Sequence, residues 1–293
     1  MAFSLDQPLG IDPCVDVAFM WLFGGEAHER IRVDFLNAVL GPGARITRAH
    51  ALNPVHPSAF DGQAEIRLDI QVQDEQGRIY QIEMQRQRHR GLDQRMLYGW
   101  ARLYSEQLGK GTEYSELRPV VSVWICEQDV FPRAANAHLR FRLLEAEEHF
   151  ALHDDIRFEI VQLSRVVASG TGLSDAALGG WCRLLKEADQ WRQVPAELQN
   201  PILEEAMSVL NELRVDVHMN QIYRGRETYE RVRAAELAEL AELAELRGVR
   251  AERDAERAAK EAERAAKEAA LHENARLAAE LAALRARLDP TGG

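Results

Sequence analysis

The stretch Glu65–Gln85, EIRLDIQVQDEQGRIYQIEMQ, decides how this chain is read. Ile66, Leu68, Ile70 and Val72 alternate with Arg67, Asp69, Gln71 and Gln73, and Tyr80, Ile82 and Met84 alternate with Gln81, Glu83 and Gln85. A period of two is that of strands with one apolar and one polar face. Glu75, Gln76 and Gly77 suit a three-residue hairpin loop, a type I turn closed by glycine in the left-handed conformation. With Asp74 opposite Arg78, the register sets Val72 against Tyr80, Ile70 against Ile82 and Leu68 against Met84. It also sets Asp69 against Glu83 and Arg67 against Gln85. A slip by one residue would mix the faces.

Two carboxylates facing each other across a ladder repel. They either belong to a solvated face or hold a hard divalent cation such as Mg²⁺, and the alternation alone leaves both readings open. Directly after Gln85 come Arg86, Arg88, His89, Arg90 and Arg95, cations that suit a phosphodiester next to a carboxylate site or simply a solvated helix start.

Outside the hairpin, the chain of 293 residues is 46% hydrophobic and 28% charged, enough for a good-sized globular domain with an appendage. A net charge of −11 excludes a protein that coats nucleic acid unspecifically, so any contact with DNA must be local. Cys14, Cys126 and Cys182 are widely spaced and form no metal motif, as expected of reduced thiols in a cytoplasmic protein. The opening MAFSLDQPLGIDPC has neither a basic nor an apolar run, and no stretch approaches the roughly 18 apolar residues of a membrane span, so neither export nor a membrane partner is expected.

In chain order, Asp16 reads as the cap of a short helix over Val17–Phe23, followed by a helix over Glu26–Leu40 and a first strand over Arg45–Pro54. After the hairpin, His89–Leu108 has helical spacing, with Leu92, Met96, Leu97, Trp100, Leu103, Tyr104 and Leu108 as its apolar stripe. Val120–Ile125 reads as a strand buried on both faces. Leu139–Leu144 and Ile156–Leu163 read as further strands, and Ser174–Gln190 and Pro195–Val215 as helices. From Glu227 to Leu288 the sequence turns to Ala, Glu, Leu, Arg and Lys, a long helix by propensity. Residues 227–289 hold 12 basic and 15 acidic side chains, too balanced for a DNA-binding arm. Leu277, Leu281, Leu284 and Leu288 follow a four-three-four coiled-coil spacing with Asn274 before them, so this helix reads either as a homo-oligomerisation element or as a solvated single helix. The expected organisation is a domain over 12–165, a helical extension over 166–226 and the long helix over 227–289.

The ordered motifs Asp16-Val-Ala-Phe19, Leu22-Phe-Gly24, Asp34-Phe-Leu-Asn37-Ala-Val-Leu40, Leu68-Asp69-Ile70, Ile82-Glu83-Met84-Gln85, Arg95-x-x-Tyr98, Leu103-Tyr104-Ser105-Glu106-Gln107-Leu108 and Tyr114-Ser115-Glu116-Leu117 resemble the recombination-promoting nuclease/transposase family. That family belongs to the PD-(D/E)xK nuclease superfamily. The resemblance implies an α/β fold with a restriction-endonuclease-like mixed sheet flanked by helices, carrying here a helical C-terminal region. It further implies a DNA endonuclease using Mg²⁺ or Mn²⁺, with Asp69 and Glu83 as metal ligands and Gln85 where the superfamily has its lysine. Arg86, Arg88, Arg90 and Arg95 would meet DNA, while Asp16 and Tyr98 support the site. Gln85 cannot act as a base near neutral pH, and Met20 stands where the family usually has a second lysine. A weakened nuclease fold that binds DNA or protein, and oligomerises through its last helix, is therefore the alternative.

Overall fold

The computed structural model describes residues 4–43, 45–54, 70–88, 90–111, 113–166, 173, 176–198 and 200–288. It divides into two compact units, Met1–Arg231 and Val232–Gly293. The first is built on a six-stranded mixed sheet of β1 (His50–Ala51), β2 (Ile70–Gln73), β3 (Ile79–Gln85), β4 (Val120–Cys126), β5 (His138–Arg142) and β6 (Ile156–Gln162), in the spatial order β1-β2-β3-β4-β6-β5. β2 and β3 are antiparallel, while β3 runs parallel to β4 and β4 parallel to β6. The helices are α1 (Asp16–Gly24), α2 (Glu29–Leu40), α3 (Leu92–Ser105), α4 (Ala176–Glu187), α5 (Pro201–Val215) and α6 (Val217–Leu288).

The hairpin has the register expected from its sequence, with Val72 opposite Tyr80 and Ile70 opposite Ile82. Gly77 takes a φ of 80°, the left-handed conformation that closes the turn without a Cβ clash. The Asp74 carboxylate holds the loop from within, accepting from the Gln76 and Arg78 backbone N–H groups at 2.9 Å each and from the Tyr80 hydroxyl at 2.9 Å. The continuation of the ladder through Leu68 and Asp69 lies outside the described residues.

One face of the sheet packs against α1, α2, α4 and α5. Ile82, Val123 and Val161 join Phe19, Phe23, Phe35 and Trp181 in a single core there, where Phe23 stands 4.7 Å from Phe35 and 5.7 Å from Trp181 between ring centroids. Arg32 is buried within it, donating to the carbonyls of Ala49 at 2.8 Å and Phe23 at 3.1 Å. Burying a charge is tolerable only when it is hydrogen-bonded, and here its bonds tie α2 to the end of α1 and the start of the sheet. Met20, 6% exposed, packs into the same core. Its side chain is structural, and a lysine there would have to bury its ammonium.

Several boundaries differ from the sequence reading for local reasons. Asp16 is the first residue of α1 rather than its cap, with Val15 at the cap position, and its carboxylate accepts from Arg226 through Oδ2 and from the Val17 backbone N–H through Oδ1. α3 starts at Leu92, after Gly91 at a φ of 80°. Its inner face carries Leu92, Met96 and Leu103, whereas Leu97 and Leu108 are exposed. The larger difference concerns the polar face of β3. Gln81 and Glu83 are 4% and 5% exposed, because α3 covers that face. Alternation marks two faces but cannot say whether solvent or a helix meets the polar one.

Beyond Arg231, the leucines of α6 from Leu237 to Leu284 are exposed, Leu240 and Leu281 among them. Among the described residues no helix is long and apolar enough to cross a membrane.

Candidate active site

The strand order places β3 and β4 side by side at the middle of the sheet, so alternate residues of both point at α3. Gln81 pairs with Ser122, Glu83 with Trp124 and Gln85 with Cys126. α3 lies directly over this face at Gly99, where a Cβ would stand in ordinary contact, 3.4 Å from the Gln81 amide. Polar groups sealed under a helix must find partners, and these form a chain. The Trp124 indole N–H donates to Ser122 Oγ at 2.8 Å, Ser122 Oγ donates to Gln81 Oε1 at 3.3 Å, and Gln81 Nε2 donates to Glu83 Oε1 at 3.0 Å.

The other carboxylate oxygen of Glu83 faces Arg95, projecting from α3 with Nη2 3.5 Å from Oε2. The same guanidinium donates through Nη1 to Gln85 Oε1 at 3.2 Å and lies 5.5 Å from the Trp124 ring centroid. The amide nitrogen of Gln85 donates to the Gln87 carbonyl. Arg95 thus clamps the two β3 side chains that the sequence singles out, resting its planar cation on an aromatic face, a geometry that arginine offers and lysine does not. A guanidinium from the neighbouring helix stands beside Gln85.

The remaining sequence-derived positions separate into groups. Asp69 and His89 lie outside the described residues. Tyr98, 71% exposed, makes no hydrogen bond among the described residues and is neither core nor support for Glu83. Arg88 and Arg90 sit on the loop between β3 and α3, lining a cavity beside the site. Arg86 does not face solvent as a DNA contact. Its guanidinium is held by Asp12 at 3.1 Å, Glu127 at 2.8 Å and Glu230 at 2.9 Å. Burial works against its charge, but the three carboxylates outweigh that and push its pKa further up.

Asp16 belongs to this second network rather than to Glu83. It pairs with Arg226 through Nε at 2.9 Å, and its backbone N–H donates to Glu230 Oε1 at 3.3 Å. Burial, joined by the charge of Asp16, raises the Glu230 carboxyl to about 7, with Arg86 offsetting part of the rise. Glu127, Glu230, Gln81 and Trp124 carry no motif signal of their own. The one available cue is that Gln81 stands two residues before Glu83, on the same strand face.

As for a metal, Glu83 offers the hard carboxylate oxygen that Mg²⁺ prefers. Among the described residues no group of three His, Cys, Asp or Glu side chains is placed to hold an ion, and Arg95 stands at the oxygen that would face one. The donor chemistry of Glu83 fits a divalent cation, provided that Arg95 yields that oxygen and further oxygen ligands come from residues beyond those described.

No curated protein and no solved structure matches the chain. A family model described as PD-(D/E)XK nuclease family transposase matches residues 13–239. That span takes in the whole sheet, the Glu83–Arg95–Gln85 cluster and the Arg86–Glu230 pair. The chain belongs to the PD-(D/E)XK nuclease family of transposases.

Proposed function

We propose that the protein is a Mg²⁺-dependent DNA endonuclease that hydrolyses phosphodiester bonds without a covalent enzyme intermediate. The observation that carries this reading is the buried Glu83 carboxylate two residues before Gln85, with one arginine reaching both. In this reading Asp69 and Glu83 hold the cation. When bound, Mg²⁺ or Mn²⁺ would lower the pKa of a water and offset charge on the scissile phosphate.

The chain's own residues do the rest. Gln81 keeps Glu83 oriented through Oε1. Gln85, fixed by Arg95 and by the Gln87 carbonyl, positions a water by hydrogen bonding but takes no proton from it near neutral pH. Arg95 keeps a full positive charge beside the reacting phosphate, where a preorganised cation stabilises developing charge without reorganising.

A second reading has its own observation. Arg95 Nη2 already faces Glu83 Oε2, an arrangement that also suits a fold retained for binding DNA or protein. Plasmid nicking separates the two. Purified protein is assayed with Mg²⁺, with EDTA, and as the Glu83→Gln and Asp69→Ala variants. Nicking that requires the metal and both carboxylates is the expected result; DNA binding without nicking under every condition would establish the binding module instead.

A further inference from the structure

Beside the Glu83 cluster, between the β3–α3 loop and the segment after β4, lies a cavity of about 830 Å³ lined by Arg88, Arg90, Met96, Phe131 and Arg133 among others. A second hollow of about 310 Å³ shares Asp93, Met96 and Phe131 with it and continues along Leu97, Phe141 and Leu143. Together they form one groove whose floor is apolar and whose rim is cationic. Arg88, Arg90 and Arg133 lie at one end, Arg142 at the other is paired with the buried Glu159 at 3.2 Å, and Asp93 is the carboxylate in the lining. In a chain of net charge −11 this local excess is unusual. Arg88 and Arg133 have no ion-pair partner among the described residues, unlike Arg86, two residues before Arg88, which has three.

The aromatic floor is held in place. Gln162, fully buried, accepts from the backbone N–H groups of Val130 at 2.9 Å and Phe131 at 2.8 Å. Arg165 braces the same loop through Asp129 and the Pro132 carbonyl. The Phe131 and Phe141 rings stand 5.4 Å apart at 43°, and Phe141, Leu97 and Leu143 are left exposed. The groove meets the site through its backbone, because Glu127 N–H donates to the Gln85 carbonyl and Arg88 N–H to the Gln128 side chain. Fixed aromatic faces with a cationic rim are what unpaired bases and their phosphates require. Paired bases keep their faces stacked inside the duplex and would leave this floor uncovered.

We infer that this groove binds an unpaired DNA strand leading to or from the scissile phosphate, with bases on Phe131 and Phe141 and phosphates at Arg88 and Arg133. The inference rests on the nuclease reading for its choice of ligand, but its test reads binding alone. Full-length protein in EDTA is titrated into fluorescein-labelled oligothymidylate of 15 nucleotides, and into a duplex of the same length, with anisotropy as the readout. The single strand binds more tightly than the duplex, and Phe141→Ala weakens single-strand binding by about ten-fold, in the range of one lost base stack. The Arg88→Ala/Arg133→Ala double variant lowers the slope of log K against log salt by about 1.4, or roughly 0.7 per lost phosphate contact. All three side chains are exposed or lie at the rim, and unchanged melting temperatures identify the effects as local. No binding, equal binding of duplex, or single-strand affinity indifferent to these changes overturns the groove. Binding that follows the expected pattern in a protein that never nicks plasmid overturns the nuclease reading and leaves the groove standing.

Discussion

Arg95 carries most of the argument at the residue scale, because it brings a permanent charge to a strand whose own sequence has glutamine where a lysine is expected. Arg95→Ala is expected to lower metal-dependent nicking by about 10²- to 10³-fold, the usual cost of removing one preorganised electrostatic group. The fold should be spared, since the side chain is 45% exposed. Arg95→Lys keeps the charge but cannot reach Glu83 and Gln85 together, and should recover only part of the rate; equal rates for the alanine and wild-type proteins would remove Arg95 from the site. Glu230 gives a second test at this scale. Its carboxyl is raised by burial and by Asp16, so the folded state binds its proton more tightly than the unfolded state does. Its contribution therefore falls as pH rises from about 4.5 to about 7 and stays low above. Glu230→Gln, compared with wild type by urea unfolding, should look relatively more stable at pH 8 than at pH 5, by on the order of 2 kcal/mol. A difference independent of pH would mean that Glu230 is ionised throughout.

At the scale of elements, the hairpin was legible because three signals coincide: period-two alternation, a glycine at the one position needing positive φ, and a register that pairs apolar with apolar. Asp74 adds a feature that alternation does not reveal. Besides its turn hydrogen bonds it forms an ion pair with Arg78 at 2.6 Å and is 6% exposed. Asp74→Ala leaves the Tyr80 hydroxyl and two backbone N–H groups without their acceptor and should destabilise the protein by about 2–4 kcal/mol, read from chemical denaturation. A cost within 0.5 kcal/mol would show that water replaces the carboxylate. The polar ladder under α3 was not legible, since Gln81, Glu83 and Ser122 look in sequence like any solvated strand face. Nor were the partners of Asp16 and Arg86, because Arg226 and Glu230 lie more than a hundred residues away and only folding brings them together.

For the whole molecule, the boundary between the two units falls just after Glu230 and Arg231. A chain ending at Arg231 keeps the Arg86–Glu230 and Asp16–Arg226 pairs and should melt within about 2 °C of the full-length protein. A chain ending at Gly225 loses both pairs, leaving the buried Asp16 uncompensated, and should melt several degrees lower. Equal melting of the two truncations would mean that the network is energetically idle. We propose that the exposed leucines of the last helix support self-association. Sedimentation of full-length protein, the Arg231 truncation and a Leu277→Lys/Leu284→Lys variant decides this: a larger species seen only for the full-length chain supports the helix as its source, and identical mass in all three refutes it.

The three cysteines all lie in the first unit, each buried in a different setting: Cys14 ahead of α1, Cys126 at the end of β4 and Cys182 within α4. Burial pushes the Cys126 and Cys182 thiols up to about 12, and that of Cys14 well above its ordinary value. The native fold thus comes with its own clock. A thiol reagent that is inert toward the closed structure reacts only when a layer opens, and because Cys126 shares its strand face with Trp124 beneath α3, its labelling rate times the lifting of α3 from the strand pair that carries Glu83.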